Sequence, residues 1–136
     1  MPALALKIPN DLNTLSGIAV AATEFLESKG ASREVIFAAN LAIEEMVSNT
    51  IKYGYSDDLQ HQIEIQLALS TNVLEIEIRD DGRPFDPFAN PPPNPAPPGD
   101  KRKAGGLGIH FVRNILDGFN YMRREGQNVV RLTKRL

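Results

Sequence analysis

Apolar residues along this chain recur with two periods, and the changes of period mark the elements. Leu15, Ile18, Ala22, Phe25 and Leu26 recur at helical spacing, as on one face of a helix. Asp11 stands before this run as a cap, and Gly30 ends it. Ser32 opens a second helical run, with Val35, Ile36, Ala39, Ala42, Ile43, Met46 and Val47 on its apolar side and Gly54 near its end. The period then drops to two. Ile63, Ile65, Leu67 and Leu69 alternate with polar or small residues, Thr71-Asn72 interrupts, and Leu74, Ile76 and Ile78 alternate again, which predicts a β-hairpin with one buried face. A short strand is predicted over ALALKI, residues 3–8, before Pro9. Ile109, Val112, Ile115 and Leu116 predict a third helix, and FNYMRRE and VVRLTKRL predict a second hairpin around a turn at Gly126-Gln127-Asn128.

Eight of the ten prolines fall between Pro84 and Pro98, so that segment is predicted as an extended loop without backbone donors to spare for a helix. Helices mixed with antiparallel strands predict an α+β chain, a two-layer α/β sandwich with the helices on one face of the sheet. The expectation is a single domain over residues 1–136. Its 136 residues, 42% of them hydrophobic, suffice to bury one core.

Charge and composition narrow the function classes. Fifteen basic against seventeen acidic residues leave a net charge of -2, which gives no strong field toward nucleic acid or an anionic membrane. The absence of cysteine excludes disulfides, thiolate metal sites and cysteine nucleophiles, and fits a reducing cytoplasm. The start MPALALKIPN has an apolar run interrupted by Lys7, with no basic leader or cleavage site, and no stretch approaches the roughly 20 apolar residues of a spanning helix. A cytoplasmic chain is expected.

Three local patterns carry candidate chemistry. In VLEIEIRD the period of two places Asp80 on the same inward face as Ile76 and Ile78. A buried carboxylate needs donors, and the adenine amine is one; Gly82 leaves the backbone bare for a flat ligand. The same DDG also suits a plain turn. Gly105, Gly106 and Gly108 stand at the entry to the third helix, where free N–H groups and the positive end of the dipole favour phosphate, with Lys101, Arg102 and Lys103 beside them. GGLG is neither a P-loop nor a dinucleotide-binding fingerprint, and a flexible hinge has the same composition. Finally, LAIEEMVSNTIKYGY sets Glu44 and Glu45 on the second helix, about 100° apart around its axis. Leu41, Glu45 and Asn49 form one row, and Asn40, Glu44 and Ser48 another, so spacing leaves open which acid faces solvent. The Glu45–Asn49 row combines a base with a neutral oxygen ligand of the kind Mg²⁺ accepts. His61 and His110 are expected to be solvated or capping residues.

In the order helix EExxxN, strand DDG and GGLG helix entry, these patterns resemble the Bergerat-fold (histidine-kinase-like) ATPase superfamily over nearly the whole chain. In length and detail they most resemble the anti-sigma regulatory factors, the small serine-protein kinases of bacterial partner-switching systems. The resemblance implies a mixed, largely antiparallel sheet, an ATP and Mg²⁺ requirement, and phosphoryl transfer to an anti-anti-sigma antagonist that competes with a sigma factor or equivalent target. It implies that Glu45 is the general base and that Asn49 holds Mg²⁺. By the same resemblance Asp80 and Gly82 take the adenine, residues 84–104 form a proline-rich nucleotide lid, and Lys103, Gly105, Gly106, Leu107 and Gly108 contact the phosphates. No direct nucleic-acid or membrane contact is implied. Members are often homodimers, with the first strand and first helix as the expected surface.

Three positions depart from the pattern. Pro84 stands where the last glycine of DxGxG is usual, Tyr53 stands where histidine is frequent, and residues 11–29 contain no arginine that could dock a partner. Pro84 and the stiff lid motivate an alternative, a nucleotide-binding regulatory interaction module without kinase activity. A histidine-kinase catalytic unit is the less favoured relative, because the chain leaves no room for a phosphoacceptor helix pair.

Overall fold

In a computed structural model, residues 1–89 and 104–136 are described, the side chains of 104–107 excepted. Most of the predicted lid, including Lys101, Arg102 and Lys103, lies outside the described residues. The chain runs β1 (Ala3–Pro9), a 3₁₀ turn (Leu12–Thr14), α1 (Leu15–Ser28), α2 (Arg33–Tyr53), β2 (Gln62–Leu69), β3 (Val73–Asp80), α3 (Ala104–Ile115), β4 (Gly118–Arg124) and β5 (Gln127–Arg135). The strands form one sheet in the order β1-β2-β3-β5-β4. All four pairings are antiparallel. The sheet is therefore antiparallel throughout rather than mixed, because the β4–β5 hairpin returns with β5 inserted beside β3.

Local chemistry accounts for the element ends. Ser32 accepts a hydrogen bond from the Val35 N–H at 3.2 Å and caps α2, while Gly30 leaves α1 with φ +77°, a conformation that suits a residue without Cβ. Asp11 caps the 3₁₀ turn by accepting from the Asn13 N–H at 2.9 Å, so α1 begins at Leu15 rather than directly after Asp11. In the second hairpin the turn is Glu125-Gly126, with φ +53° and +77°, the pair of positive angles that a tight two-residue connection requires. The turn expected at Gly126-Gln127-Asn128 is displaced accordingly, and Asn128 belongs to β5, where it faces Asp80.

The alternating strands place Ile63, Ile65, Leu67, Leu74, Ile76 and Leu132 in the core, each 1% exposed or less, against the apolar faces of the helices. The opposite face of the sheet is charged: Lys7 pairs with Glu64 at 3.5 Å, and Glu77 accepts from Arg79 at 3.0 Å and Arg131 at 2.8 Å. Helix α2 is the central helix, packed on α1 at one side, α3 at the other and β3 beneath. Among the described residues no helix is long and apolar enough to cross a membrane.

Truncating the middle of β3 should separate the two faces. Ile76→Ala, at a position 1% exposed, is expected to lose about 2–5 kcal/mol of stability in urea unfolding. Its exposed neighbour Glu75→Ala should change stability by no more than about 0.5 kcal/mol.

Candidate functional site

Asp80 ends β3 pointing into the interior, as its strand period predicts, and is only 5% exposed. Its Oδ1 accepts from the Gly82 N–H at 2.9 Å and from Asn128 Nδ2 at 2.9 Å. Among the described residues Oδ2 accepts no hydrogen bond. Burial pushes the Asp80 pKa above the usual aspartate range, the Asn128 and Gly82 hydrogen bonds pull against it, and the neighbouring Asp81 adds to the rise.

The turn after Asp80 is pressed onto the end of α2. A Cβ at Gly82 would lie 2.7 Å from the Gly54 carbonyl oxygen and 2.9 Å from Asp80 Oδ1, so only glycine fits. The Arg83 N–H donates to the Gly54 carbonyl at 2.9 Å, and Arg123 Nη1 donates to the Gly82 carbonyl at 2.7 Å. These contacts hold the turn open over a cavity of about 290 Å³. Met46, Ile78, Phe85 and Val130 supply apolar walls, and Asp80 and Asn49 supply polar groups. An apolar slot with a few placed polar atoms suits a flat heterocycle carrying a donor. Pro84 takes part in the wall in place of the glycine of the resemblance.

The paired acids on α2 go separate ways. Glu44 is exposed, beside Leu12 and Ala19 in a groove between α1 and α2. Glu45 is half-buried and turned toward α3, and its pKa is raised by burial and by Glu44, with Lys52 opposing. A Cβ at Gly108 would overlap the Glu45 carboxylate, so the glycine makes room for the acid between two packed helices. One turn further, Asn49 lines the cavity. The spacing that left Glu44 and Glu45 undecided is resolved by α3, which covers one side of α2 only.

Helix α3 begins at Ala104, so the glycines lie inside its first turns rather than before it. Gly108 lies within the helix where α3 packs against Glu45, and a residue without Cβ is what that contact admits. The N–H groups of Gly105 and Gly106 lie among the first three residues of the helix, ahead of its first i→i−4 bond, at the positive end of the dipole, whereas Leu107 is the first residue in position to make that bond. Gly108 is the fifth residue, beyond those free donors.

Several residues of this region were not legible in the sequence. Asn128 is 4% exposed and stands directly opposite Asp80 in the β3–β5 register, yet asparagine after glycine reads locally as a turn. Tyr121 and Arg123 of β4 reach the same region. His61 is partly exposed, as expected, but is held rather than free: its ring bonds Asp57 at 2.8 Å and Asp81 at 3.2 Å and stacks on Tyr55 with centroids 4.2 Å apart. The two carboxylates raise the His61 pKa, and the histidine lowers that of Asp57. Among the described residues no three His, Asp or Glu side chains converge on a metal position.

The raised pKa of Asp80 sets a sign for stability. A carboxyl favoured in its protonated form by folding stabilises the protein fully below the unfolded aspartate value of about 3.9, and that contribution is lost as pH rises through the higher folded value. Asp80→Asn keeps an oxygen for Gly82 and Asn128 without the charge. The variant should therefore gain stability relative to the wild type as pH rises from acid to neutral in parallel urea titrations. A variant that loses stability relative to the wild type over that range contradicts the buried, charged assignment.

A profile of the histidine kinase-like ATPase domain matches residues 8–134. The chain is 29% identical to the serine-protein kinase RsbW of Oceanobacillus iheyensis over 108 residues, which is 76% of this chain and 64% of that relative, less than two thirds of its length. It is 25% identical to the anti-sigma F factor of the same organism over 121 residues, 86% of this chain and 81% of the relative. Among solved structures, the RsbU and RsbW domains of Rv1364c from Mycobacterium tuberculosis share the fold with a TM-score of 0.73 at 20% identity, over 100% of this chain and 33% of that one. With a match that spans the cavity, the paired acids and the helix entry, the chain belongs to the histidine kinase-like ATPase domain family.

Proposed function

We propose that this domain is an anti-sigma-type serine/threonine protein kinase that binds ATP with Mg²⁺ and phosphorylates an antagonist protein in a bacterial partner-switching system. The observation that carries the reading is the arrangement on α2. Asn49 lines a cavity whose polar end is the buried Asp80, and Glu45 sits one turn away with a pKa raised by burial. Kinship with proteins named serine-protein kinase and anti-sigma F factor supports it.

In this reading the adenine enters the apolar cavity and its exocyclic amine donates to Asp80. The triphosphate extends toward the first turn of α3, where the free N–H groups of Gly105 and Gly106 receive it, with Leu107 completing the turn and Lys103 adjacent in sequence. The Asn49 amide oxygen is an acceptable ligand for Mg²⁺, which takes oxygen donors, retains waters and neutralises phosphate charge. The serine or threonine oxygen of the partner attacks the γ-phosphorus as the bond to the β,γ-bridging oxygen breaks. Glu45 accepts the hydroxyl proton, and ADP leaves. A carboxylate whose pKa is raised by burial is a better base than a solvated one. The sigma factor or equivalent target, the cytoplasmic location and a homodimer through β1 and α1 belong to the same proposal.

Incubation with Mg-ATP and a cognate antagonist, read by mass spectrometry for phosphoserine or phosphothreonine, tests it. Glu45→Ala should bind ATP within about twofold of the wild type and lose transfer by about 10²–10⁴-fold. Gly108→Ala should also lower transfer, because its methyl group displaces the Glu45 carboxylate. Normal transfer by Glu45→Ala removes that residue from the mechanism. ATP binding by the wild type with no transfer favours instead a regulatory module that uses nucleotide only to shape its surface, a reading for which Pro84 in the cavity wall is the motivating observation.

A further inference from the structure

Asp80 does not meet the cavity alone. Asn128, its neighbour across the β3–β5 ladder, uses both ends of its amide: Nδ2 donates to Asp80 Oδ1 at 2.9 Å and to the Arg83 carbonyl at 2.9 Å. Its Oδ1 accepts from the Tyr121 hydroxyl at 2.6 Å and from the Phe85 N–H at 3.3 Å. These partners fix which end of the amide is nitrogen, since a flipped amide would aim a donor at the Phe85 N–H and an oxygen at two acceptors. The chain of donation therefore runs one way, from the Tyr121 hydroxyl to Asn128 and from Asn128 to Asp80.

That polarity has a chemical consequence for the ligand. Oδ1 of Asp80 receives two donors, from Asn128 and Gly82, and so is held as an acceptor. A proton on Asp80 must then sit on Oδ2, the oxygen left to the ligand. Ionised, Oδ2 accepts from the 6-amino group of adenine; protonated, it donates to the 6-oxo group of hypoxanthine or guanine. Burial pushes Asp80 toward the protonated form, and the amide of Asn128 resists it.

We propose that Tyr121 and Asn128 are positioning residues that hold Asp80 as an acceptor and thereby make the cavity select 6-amino over 6-oxo purine nucleotides. The proposal rests on the adenine-binding reading above. The other charged or titratable groups around Asp80 are Asp81 and Arg83 on its own turn, Arg123 from β4, Tyr53 at the end of α2 and Tyr55 from the α2–β2 connection. None of them donates a hydrogen bond to the Asp80 carboxylate, so the relay through Asn128 is the specific lever.

The test compares affinities for ATP and inosine triphosphate by calorimetry in the wild type, Asn128→Leu and Tyr121→Phe. Removing the Asn128 donor should reduce the preference for ATP over inosine triphosphate by about ten- to a hundredfold. Tyr121→Phe, which keeps the ring and removes only the hydroxyl, should shift the ratio the same way by less. In the wild type the ratio should fall as pH is lowered, because protonation of Asp80 removes the acceptor. If Asn128 only fastens the 83–85 segment, both nucleotides weaken equally in Asn128→Leu and the ratio stays constant, which overturns the proposal. Should Asn128→Leu not fold, an unchanged ratio in Tyr121→Phe together with a pH-independent wild-type ratio overturns it equally. A wild type that binds neither nucleotide overturns the adenine-binding reading itself and is distinguishable from both.

Discussion

A carboxylate with almost no access to water, at the end of the central strand, is the constraint around which this domain is arranged. Asp80 would cost several kcal/mol to bury ionised without donors. The fold supplies donors from two directions, the Gly82 backbone and the Asn128 side chain. Each donor imposes a further requirement. Gly82 must lack a Cβ to lie against Gly54, and Asn128 must be delivered by β5 in register with β3. The insertion of β5 between β3 and β4, which brings Tyr121 and Arg123 within reach, is therefore tied to the site as well as to the sheet.

Helix α2 links this end of the molecule to the first turns of α3. Its apolar side packs on the sheet, its last turns carry Asn49 to the cavity, and the row through Glu45 meets α3 at Gly108. The close approach of α2 and α3 places a partly desolvated acid near the first turn of α3, whose unpartnered N–H groups attract phosphate. The cavity lined by Asn49 and the half-buried Glu45 are thus one helical turn apart on a single helix. Glu44, on the adjoining row, remains in solvent and acts on Glu45 only through its charge.

Much of this was legible in the sequence where the interactions are local or periodic. The strand alternation aimed Asp80 inward, and the cap at Ser32 and the glycine at 30 bounded the helices. Information that depends on non-local pairing was hidden. Asn128 follows a glycine and imitates a turn residue, so only the β3–β5 register reveals its partner. The His61 cluster joins residues 57, 61 and 81, which no helical or strand spacing connects. Glu44 and Glu45 could not be told apart by periodicity, because only the packing of α3 against one side of α2 turns Glu45 inward and leaves Glu44 in solvent.

The most direct measurement of the central claim is a crystal structure with Mg²⁺ and a non-hydrolysable ATP analogue. The adenine is predicted to lie in the cavity with its exocyclic amine at hydrogen-bond distance from Asp80 Oδ2, while Oδ1 keeps Gly82 and Asn128, and the γ-phosphate to lie between the first turn of α3 and Glu45. A base bound away from Asp80, or a triphosphate directed away from α3, would contradict the account.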